Sequence, residues 1–378
     1  MNERPLSIEI DCSADRASRV RIHSTRPVLA ARVFRQKAID EVVAMMPRLF
    51  SVCGIAQGRA AKLALQRAVS SDGRLADSSD DALLMEMETA REHLWRVLMD
   101  WSTFVSPDKP DAVRARAMQA LLPALKKALG DAERVDAVAG VIADLETLLD
   151  EAVFGMPAGD WLMLTGQSSL LDWAASGASD AAALIHRVAE RDWATAGTVT
   201  PHFLPTLSNN DLDQRLAAAD ADEFVAAPDW QGDACETTPL SRRQGHPLVR
   251  DVAAHSGHGL LARLAALLVE LAESPRALRA ALGATEARSD NASDCSPGIG
   301  IAQVEAARGR LVHRATVDGD RVVDYQILAP TEWNFHPDGG LARGLAALDD
   351  TNRESLIAKA SLLVTATDPC VGYSLEVH

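Results

Sequence analysis

The 378-residue sequence has little positive charge, few aromatic residues and no long hydrophobic run. It contains 38 lysines and arginines against 53 aspartates and glutamates, a formal net charge of −15, which argues against the basic surface that nucleic-acid binding requires. No uncharged apolar run reaches the ~18 residues of a membrane span, and the first residues lack the apolar core of a secretion signal. We therefore expect a protein with no membrane span that does not bind nucleic acid.

Cysteine is also scarce, with five residues at positions 12, 53, 235, 295 and 370. An odd number of widely separated cysteines does not suit a disulfide framework and is typical of a reducing compartment. We therefore expect a cytoplasmic protein. A free cysteine is most often a buried packing residue, so a ligand role needs a further argument.

Apolar residues make up 47% of the chain, enough for a sizeable core in one large domain or two ordinary ones. Within 82–196, apolar side chains recur at three- and four-residue spacing, which predicts a block of successive helices serving as scaffold. Small polar residues fill 284–298, which predicts an exposed loop.

The N-terminal part contains two local patterns. Leu6–Ile10 and Arg19–Ile22 alternate weakly and predict a small β-hairpin. Ala30–Met46 has helical spacing and predicts a helix that ends before Pro47, since proline cannot continue a helix.

Cys53 comes shortly afterwards, in a short loop before a helix predicted to begin near Ala56. Free N–H groups and the helix dipole at such a position favour the thiolate form. The alternative interpretation is a buried structural cysteine, and it stays open at this point.

The most informative stretch is 298–337, which contains a predicted hairpin. Leu311–Val317 and Arg321–Leu328 are β-rich runs, and the Asp-Gly between them is a strong turn signal because glycine tolerates positive φ. A hairpin brings its outer ends together, so Arg308 and Pro330-Thr331 should be neighbours. Gly309, beside the arginine, permits a sharp turn or a close backbone approach.

These segments resemble the nickel–iron hydrogenase large subunit. The stretch follows the pattern GxGxxxxExxRGxLxH, then a DG hairpin, then YxIxxPTxWNFxP. Cys53-Gly54-Ile55 is similar to the start of CGxC, 235–242 to ETGxLxR, and Asp368-Pro369-Cys370 to the start of DPCxxCxxH. The resemblance implies one domain over 1–378, mainly α with a small antiparallel β-sheet (α+β), of the hydrogenase large-subunit type.

The chain departs from that family at its metal ligands. Ala56 and Tyr373 stand where the family has its second cysteines, and those two sulfurs bridge nickel to iron in the catalytic subunit. Ser51 and Ala60 replace a family arginine and histidine. The chain therefore resembles the accessory proteins of hydrogenase maturation of the HupK/HoxV type. The resemblance implies a degenerate relative of the hydrogenase that is not itself an enzyme.

The resemblance implies that Cys53 and Cys370 meet and hold a metal. Two soft thiolates suit one iron whose other positions are filled by exogenous ligands, here a transient Fe(CN)2(CO) unit without nickel. Arg308 and Pro330-Thr331 match the family residues at the cyanide ligands. The resemblance implies that Arg308 donates a charge-assisted hydrogen bond and Thr331 a neutral one. The carbonyl accepts hydrogen bonds poorly and would need an apolar wall.

Two further residues near these motifs have alternative interpretations. Glu305 precedes Arg308 by three residues, and could either orient it from a buried position or form a weak surface ion pair. Cys235 is either a packed thiol or a third sulfur near the site.

The partners implied by the resemblance are a small HypC-type chaperone among the hydrogenase maturation proteins and the apo hydrogenase large subunit. Two functions compete. The chain is an accessory scaffold that binds the iron unit and passes it on, or a metal-free assembly chaperone that acts only through protein contacts. A third function, hydrogen oxidation by the chain itself, fails because the bridging thiolates are missing.

Overall fold

The computed structural model describes residues 5–13, 19–50, 52–69, 76–77, 79–106, 111–284, 287–288 and 295–378. Ser51 and most of the predicted exposed loop at 284–298 lie outside these ranges. The expectations for both therefore stay predictions.

The described strands form three small sheets, ordered β2-β1-β8, β3-β4 and β5-β6-β7. Their bounds are β1 Leu6–Ile10, β2 Val20–Ser24, β3 Ala76–Asp77, β4 Ala287–Arg288, β5 Ile299–Ala306, β6 Gly309–Asp318, β7 Arg321–Leu328 and β8 Tyr373–Val377.

Helices make up most of the remaining described chain, in agreement with the predicted fold class. The first group is α1 Ile39–Leu49, α2 Gly54–Val69, α3 Ser79–Trp95, α4 Ala112–Leu129, α5 Arg134–Leu148, α6 Ala158–Trp161, α7 Gln167–Ala175 and α8 Asp180–Glu190. The second is α9 Asn209–Leu216, α10 Ala221–Ala226, α11 Pro239–Arg243, α12 Pro247–Ser256, α13 Leu260–Gly283, α14 Pro330–Asn334, α15 Gly340–Ala346 and α16 Arg353–Thr367. None of the helices in the described ranges is long and apolar enough to cross a bilayer.

The largest core surrounds α13, whose first three turns are buried on every side. This helix packs against α3, α5, α11 and α12. A helix that is buried all round can only be accommodated in the centre of a large domain, which explains why α13 organises the helical half of the molecule. Its two buried charges, Arg263 and Glu270, are paired with Glu236 and Arg242.

The predicted N-terminal hairpin is confirmed, since β1 and β2 pair antiparallel with Ile8 opposite Ile22. The C-terminal segment adds β8 parallel to β1, so this sheet is mixed, while the predicted small antiparallel sheet is β5-β6-β7. Parallel strands cannot be joined by a tight turn, so the chain between β1 and β8 must cross back to the edge of β1 before β8 begins. The C-terminal tail is fixed beside the N-terminal region as a result.

The predicted central hairpin is also confirmed, with β6 and β7 joined at Gly319, whose φ is 58°. The sequence pattern missed β5, which pairs with β6 through the turn Ala307–Arg308. β5 is rich in small residues because α2 lies directly on it: a Cβ on Gly300 would lie 1.9 Å from the Ala64 carbonyl oxygen.

The predicted helix stop at Pro47 is wrong. A 3₁₀ helix, Val28–Phe34, comes first, and α1 then continues through Pro47 to Leu49. Proline costs one hydrogen bond of the last turn, but its ring packs closely on α2. A Cβ on Gly58 would lie 2.7 Å from Pro47 Cγ, so α2 has glycine where the ring needs space.

Gly309 lies where two backbones nearly touch. Its φ is 132°, and an added Cβ would lie 1.7 Å from the Thr237 carbonyl oxygen. Thr237 Oγ1 also accepts a hydrogen bond of 3.0 Å from the N–H of Arg310. The segment 235–242 therefore supports the turn that holds Arg308.

We expect Gly309→Ala to lower the free energy of unfolding by roughly 2–4 kcal/mol, because it adds both a positive-φ strain and a backbone clash. Gly140→Ala is the matched control, since Gly140 lies in α5 with nothing within 4 Å of an added Cβ. The control should stabilise by roughly 0.5–1 kcal/mol. Urea unfolding measures both, and equal effects of the two substitutions would contradict the close approach at Gly309.

Candidate functional site

Cys53 and Cys370 line one cavity of about 180 Å³, although they come from opposite ends of the chain. Cys53 immediately precedes α2, which packs on β5 and β6. Cys370 lies between α16 and β8, and the pairing of β8 with β1 holds this segment in place. The structure thus brings the two cysteines singled out from the sequence to the same place.

Most of the remaining cavity wall is apolar. The side chains that form it are Leu49, Phe50, Val52, Ala306, Ala307, Leu311, Ala329, Pro330 and Val371. They come from the end of α1, the β5–β6 turn, the start of β6, the residues before α14 and the C-terminal tail. An apolar wall of this kind suits a ligand that forms weak hydrogen bonds, and the sequence had given no indication of its members.

Arg308 lines the same cavity from the β5–β6 turn and is only 5% exposed. Its Nε donates to Asp368 Oδ1 at 3.0 Å, while Nη1 and Nη2 donate to Glu92 Oε2 at 3.2 and 3.3 Å. Burial by itself would lower the pKa of Arg308, but the two carboxylates outweigh burial and raise it. The guanidinium is therefore a fixed cation beside the thiols.

Asp368 connects the C-terminal tail to this cation. It ends α16 in the left-handed conformation, with φ 60°, and Pro369 prevents the helix from continuing. Its carboxylate also pairs with Arg96, which belongs to a π-helical turn that extends α3. Burial would raise the pKa of Asp368, but Arg308 and Arg96 together lower it.

Pro330 and Thr331 form the first turn of α14, next to Arg308 as the hairpin geometry predicted. Pro330 lines the cavity, and Thr331 Oγ1 lies 2.9 Å from Cys370 Sγ. Asn334 Nδ2 donates to the Arg308 carbonyl oxygen at 2.9 Å, which ties α14 to the turn. The motif therefore holds both a sulfur and the arginine.

The environment of Cys53 differs from the one expected at a helix N-terminus. Glu88 accepts the free N–H groups of Ile55 and Ala56, at 2.8 and 2.9 Å, so its carboxylate occupies the helix end. Burial raises the pKa of the Cys53 thiol to about 12, and Cys370 and Glu88 add to this effect. The expected preference for the thiolate is therefore wrong, because these surroundings favour the neutral thiol of Cys53.

A buried hydrogen-bonded chain reaches Cys53 from the central sheet. Tyr325 bonds to His313 Nδ1 at 2.7 Å, and His313 Nε2 bonds to Gln57 Oε1 at 2.9 Å. Burial lowers the pKa of His313 to about 3, so the ring is neutral and must donate through Nε2 to the amide oxygen. This fixes the Gln57 amide with its nitrogen 3.8 Å from Cys53 Sγ, as a donor to the sulfur.

The predicted pairing of Glu305 with Arg308 is wrong. Glu305 lies on β5, opposite Arg310, with which it forms an ion pair, and its side chain is 41% exposed. Residues three apart lie on the same face only in a helix, and here Glu305 and Arg308 are separated by the end of a strand and a turn. Glu305 is therefore a surface residue outside the cavity.

Cys235 is a packed thiol. It is 4% exposed within an apolar cluster that includes Val312 and Trp333, and it does not line the cavity. Of the two interpretations left open by the sequence, the structure favours this one.

A wider cleft of about 660 Å³ meets the cavity at Arg308 and Cys370. Its walls include Glu92, Arg96 and the 40% exposed Trp95. Arg308 and Cys370 thus lie where the small cavity meets the wider cleft.

Comparison with known proteins gives consistent relatives. The chain is 32% identical over 373 residues to the hydrogenase expression/formation protein HoxV of Cupriavidus necator, with 94% of this chain and 92% of that protein covered. It is 31% identical to HupK of Bradyrhizobium diazoefficiens, which is described in the same words, over 93% and 90% of the two chains. The chain belongs to the HoxV/HupK family of hydrogenase expression/formation proteins.

The similarity extends to the hydrogenases themselves. An uptake hydrogenase large subunit of Rhodobacter capsulatus is 25% identical over 198 residues, covering 41% of this chain and 31% of that protein. The structure matches a nickel–iron–selenium hydrogenase from Desulfomicrobium baculatum with a TM-score of 0.59, 14% identity and 93% coverage of both chains. The equivalent enzyme of Desulfovibrio vulgaris Hildenborough gives a TM-score of 0.58. The HoxV/HupK member described here therefore has the fold of the hydrogenase large subunit. No family model matches the sequence.

Several site residues of this family member were not identified from the sequence. Glu88, Glu92 and Arg96 come from α3 and its π-helical extension, in the stretch interpreted as scaffold. The sequence did contain a signal for two of them, because Glu88 and Glu92 are acidic residues four apart that interrupt a largely buried helix face. The sequence alone could not say which buried cations or N–H groups those acids would meet.

We expect Cys53 to react with iodoacetamide at a rate that rises about tenfold per pH unit from pH 7 to 10, because only the thiolate reacts and the pKa lies above this range. Mass spectrometry of the Cys53 peptide measures the rate. Glu88→Gln removes a carboxylate that raises this pKa, so it should speed the reaction at every pH. A rate that levels off below pH 9 would contradict the raised pKa.

Proposed function

We propose that this protein is an accessory scaffold in nickel–iron hydrogenase maturation that binds an Fe(CN)2(CO) unit through Cys53 and Cys370. The unit would arrive from a small HypC-type chaperone and pass to the apo large subunit. The observation that supports this most is the single cavity with two thiols, one guanidinium and an apolar wall. The names of the relatives support a role in hydrogenase maturation.

The donor set suits this cargo better than a bare metal ion. Two thiols are soft ligands that iron accepts, but they leave most of its coordination positions to other ligands. Cyanide is negative at its nitrogen, for which the remaining N–H groups of Arg308 are charge-assisted donors. The carbonyl would face the apolar side chains of the wall.

The raised pKa of Cys53 suits a carrier that must release its cargo. Metal binding requires the thiolate, so the metal competes with a proton for this sulfur. Loading should release protons and weaken as the pH falls. A site with two sulfurs, one of them readily reprotonated, holds iron less firmly than a site with four.

The residues at the positions of the missing sulfurs support a carrier that does not catalyse hydrogen oxidation. Ala56 is 1% exposed, and its backbone N–H is bonded to Glu88. Tyr373 is the first residue of β8 and is engaged in the sheet with Leu6. Neither side chain can bridge two metals, so we expect iron without nickel.

Metal analysis and infrared spectroscopy of protein produced together with the maturation proteins test this function. We expect iron without nickel, and stretching bands of cyanide and carbonyl. Cys53→Ala and Cys370→Ala should each lose the iron and the bands, while their circular dichroism and melting temperature stay near those of the wild type. Cys235→Ala is the matched control, since it removes a thiol outside the cavity and should keep the iron.

The alternative function is a metal-free assembly chaperone that acts through protein contacts alone. Wild-type protein that carries no iron but still binds the apo large subunit would support it. Iron retained in both cavity variants would also overturn the proposed carrier role, because the metal would then be bound elsewhere.

A further inference from the structure

Arg26 reaches the cavity from a part of the chain without any of the recognised motifs. It lies between β2 and the 3₁₀ helix, and its side chain is 16% exposed. Its Nη1 donates to Glu332 Oε1 at 2.5 Å, and Glu332 is 5% exposed and follows Thr331 in α14. The guanidinium is therefore held in place by a buried carboxylate on the same helix turn that contacts Cys370.

The cavity has the charge pattern of an anion site. Arg26 and Arg308 both line it, and no carboxylate is among the described residues that do so. Each cation is paired on its other side, Arg308 with Asp368 and Glu92, Arg26 with Glu332. Two fixed cations that line one small cavity attract an anion to it.

Arg26 also has N–H groups to spare. A guanidinium carries five N–H groups, and within the described part of the chain the only side-chain hydrogen bond of Arg26 is the one to Glu332. Arg308, in contrast, uses Nε, Nη1 and Nη2 to bind its two carboxylates. Of the two cations, Arg26 is the one with more donors free for a ligand.

Thr331 is less suited to this task in the present chain. Its hydroxyl has one proton and lies 2.9 Å from Cys370 Sγ. If Cys370 binds iron as a thiolate, its sulfur can only accept, so the Thr331 hydroxyl would donate its one proton to that sulfur. A second anionic ligand in the cavity then needs another donor.

We propose that Arg26 is a second anion-binding residue of the cavity, and that its guanidinium holds one cyanide of the cargo while Arg308 holds the other. The assignment of cyanide rests on the proposed function. The attraction of small anions by Arg26 does not, because it follows from the placement of Arg26 and Arg308 around the cavity.

The metal-free protein provides the first test. Iodoacetate and iodoacetamide alkylate Cys370 by the same reaction but differ in charge, so the ratio of their rates reports the attraction of an anion independently of thiol ionisation. We expect Arg26→Gln to lower the iodoacetate-to-iodoacetamide ratio roughly fivefold. Arg26→Lys keeps the positive charge and should therefore keep most of the wild-type iodoacetate-to-iodoacetamide ratio.

Two controls separate the loss of the Arg26 cation at the cavity from the loss of net charge and from the unpairing of Glu332. Arg21→Gln removes an equal charge from β2 at a side chain that is 63% exposed and paired with Glu9, and it should leave the ratio unchanged. The double variant Arg26→Gln/Glu332→Gln avoids leaving Glu332 unpaired and should show the same fall as Arg26→Gln. An unchanged ratio in both Arg26→Gln variants overturns the role of Arg26, whatever the iron content.

The iron-loaded protein provides the second test. In Arg26→Gln we expect one of the two cyanide bands to move and the other to stay, with the iron still bound by both cysteines. Two unmoved bands overturn the assignment of cyanide to Arg26. A wild type without iron overturns the proposed function instead, and the ratio of alkylation rates then decides alone whether Arg26 binds anions.

Discussion

The buried ion pairs of Arg308 connect three parts of the chain that are otherwise far apart in sequence. Arg308 lies in the β5–β6 turn, Glu92 on α3 and Asp368 at the end of α16. Charges so deeply buried are tolerated only when each is paired, and removal of one partner leaves the others uncompensated. The position of the C-terminal tail, and with it Cys370, therefore depends on a cation that also faces the cavity. Under the proposed function, structural and ligand-binding roles are combined in one side chain.

The two thiols of the cavity have different surroundings, which gives the site a chemical asymmetry. Cys53 is enclosed between the carboxylate of Glu88 and the fixed amide of Gln57, and burial raises its pKa to about 12. Cys370 contacts the Thr331 hydroxyl and borders the open cleft. Under the proposed function, an incoming iron would reach Cys370 from the cleft before it displaces the proton of Cys53. Such an order suits transfer better than permanent storage.

The sequence predicted the parts of this arrangement that short patterns determine. The Asp-Gly turn fixed the central hairpin, and the hairpin in turn placed Arg308 beside Pro330-Thr331. The prediction for Pro47 failed because the packing of its ring against Gly58 offsets the lost hydrogen bond, and only the tertiary structure shows that contact. Glu305 was misplaced because closeness in sequence to Arg308 does not bring the two side chains together across the end of a strand and a turn. A local pattern marked Glu88 and Glu92 but not their role, and no local pattern marked Arg26, since each of the three depends on a partner distant in sequence.

The central claim is that Cys53 and Cys370 together bind one iron. X-ray absorption at the iron edge of protein purified from cells with the maturation machinery tests it most directly, because it counts the sulfur ligands of the metal. The account predicts two sulfur ligands together with the linear scattering of cyanide and carbonyl. Iron with light-atom ligands only, or with the same sulfur count after Cys370→Ala, would contradict it.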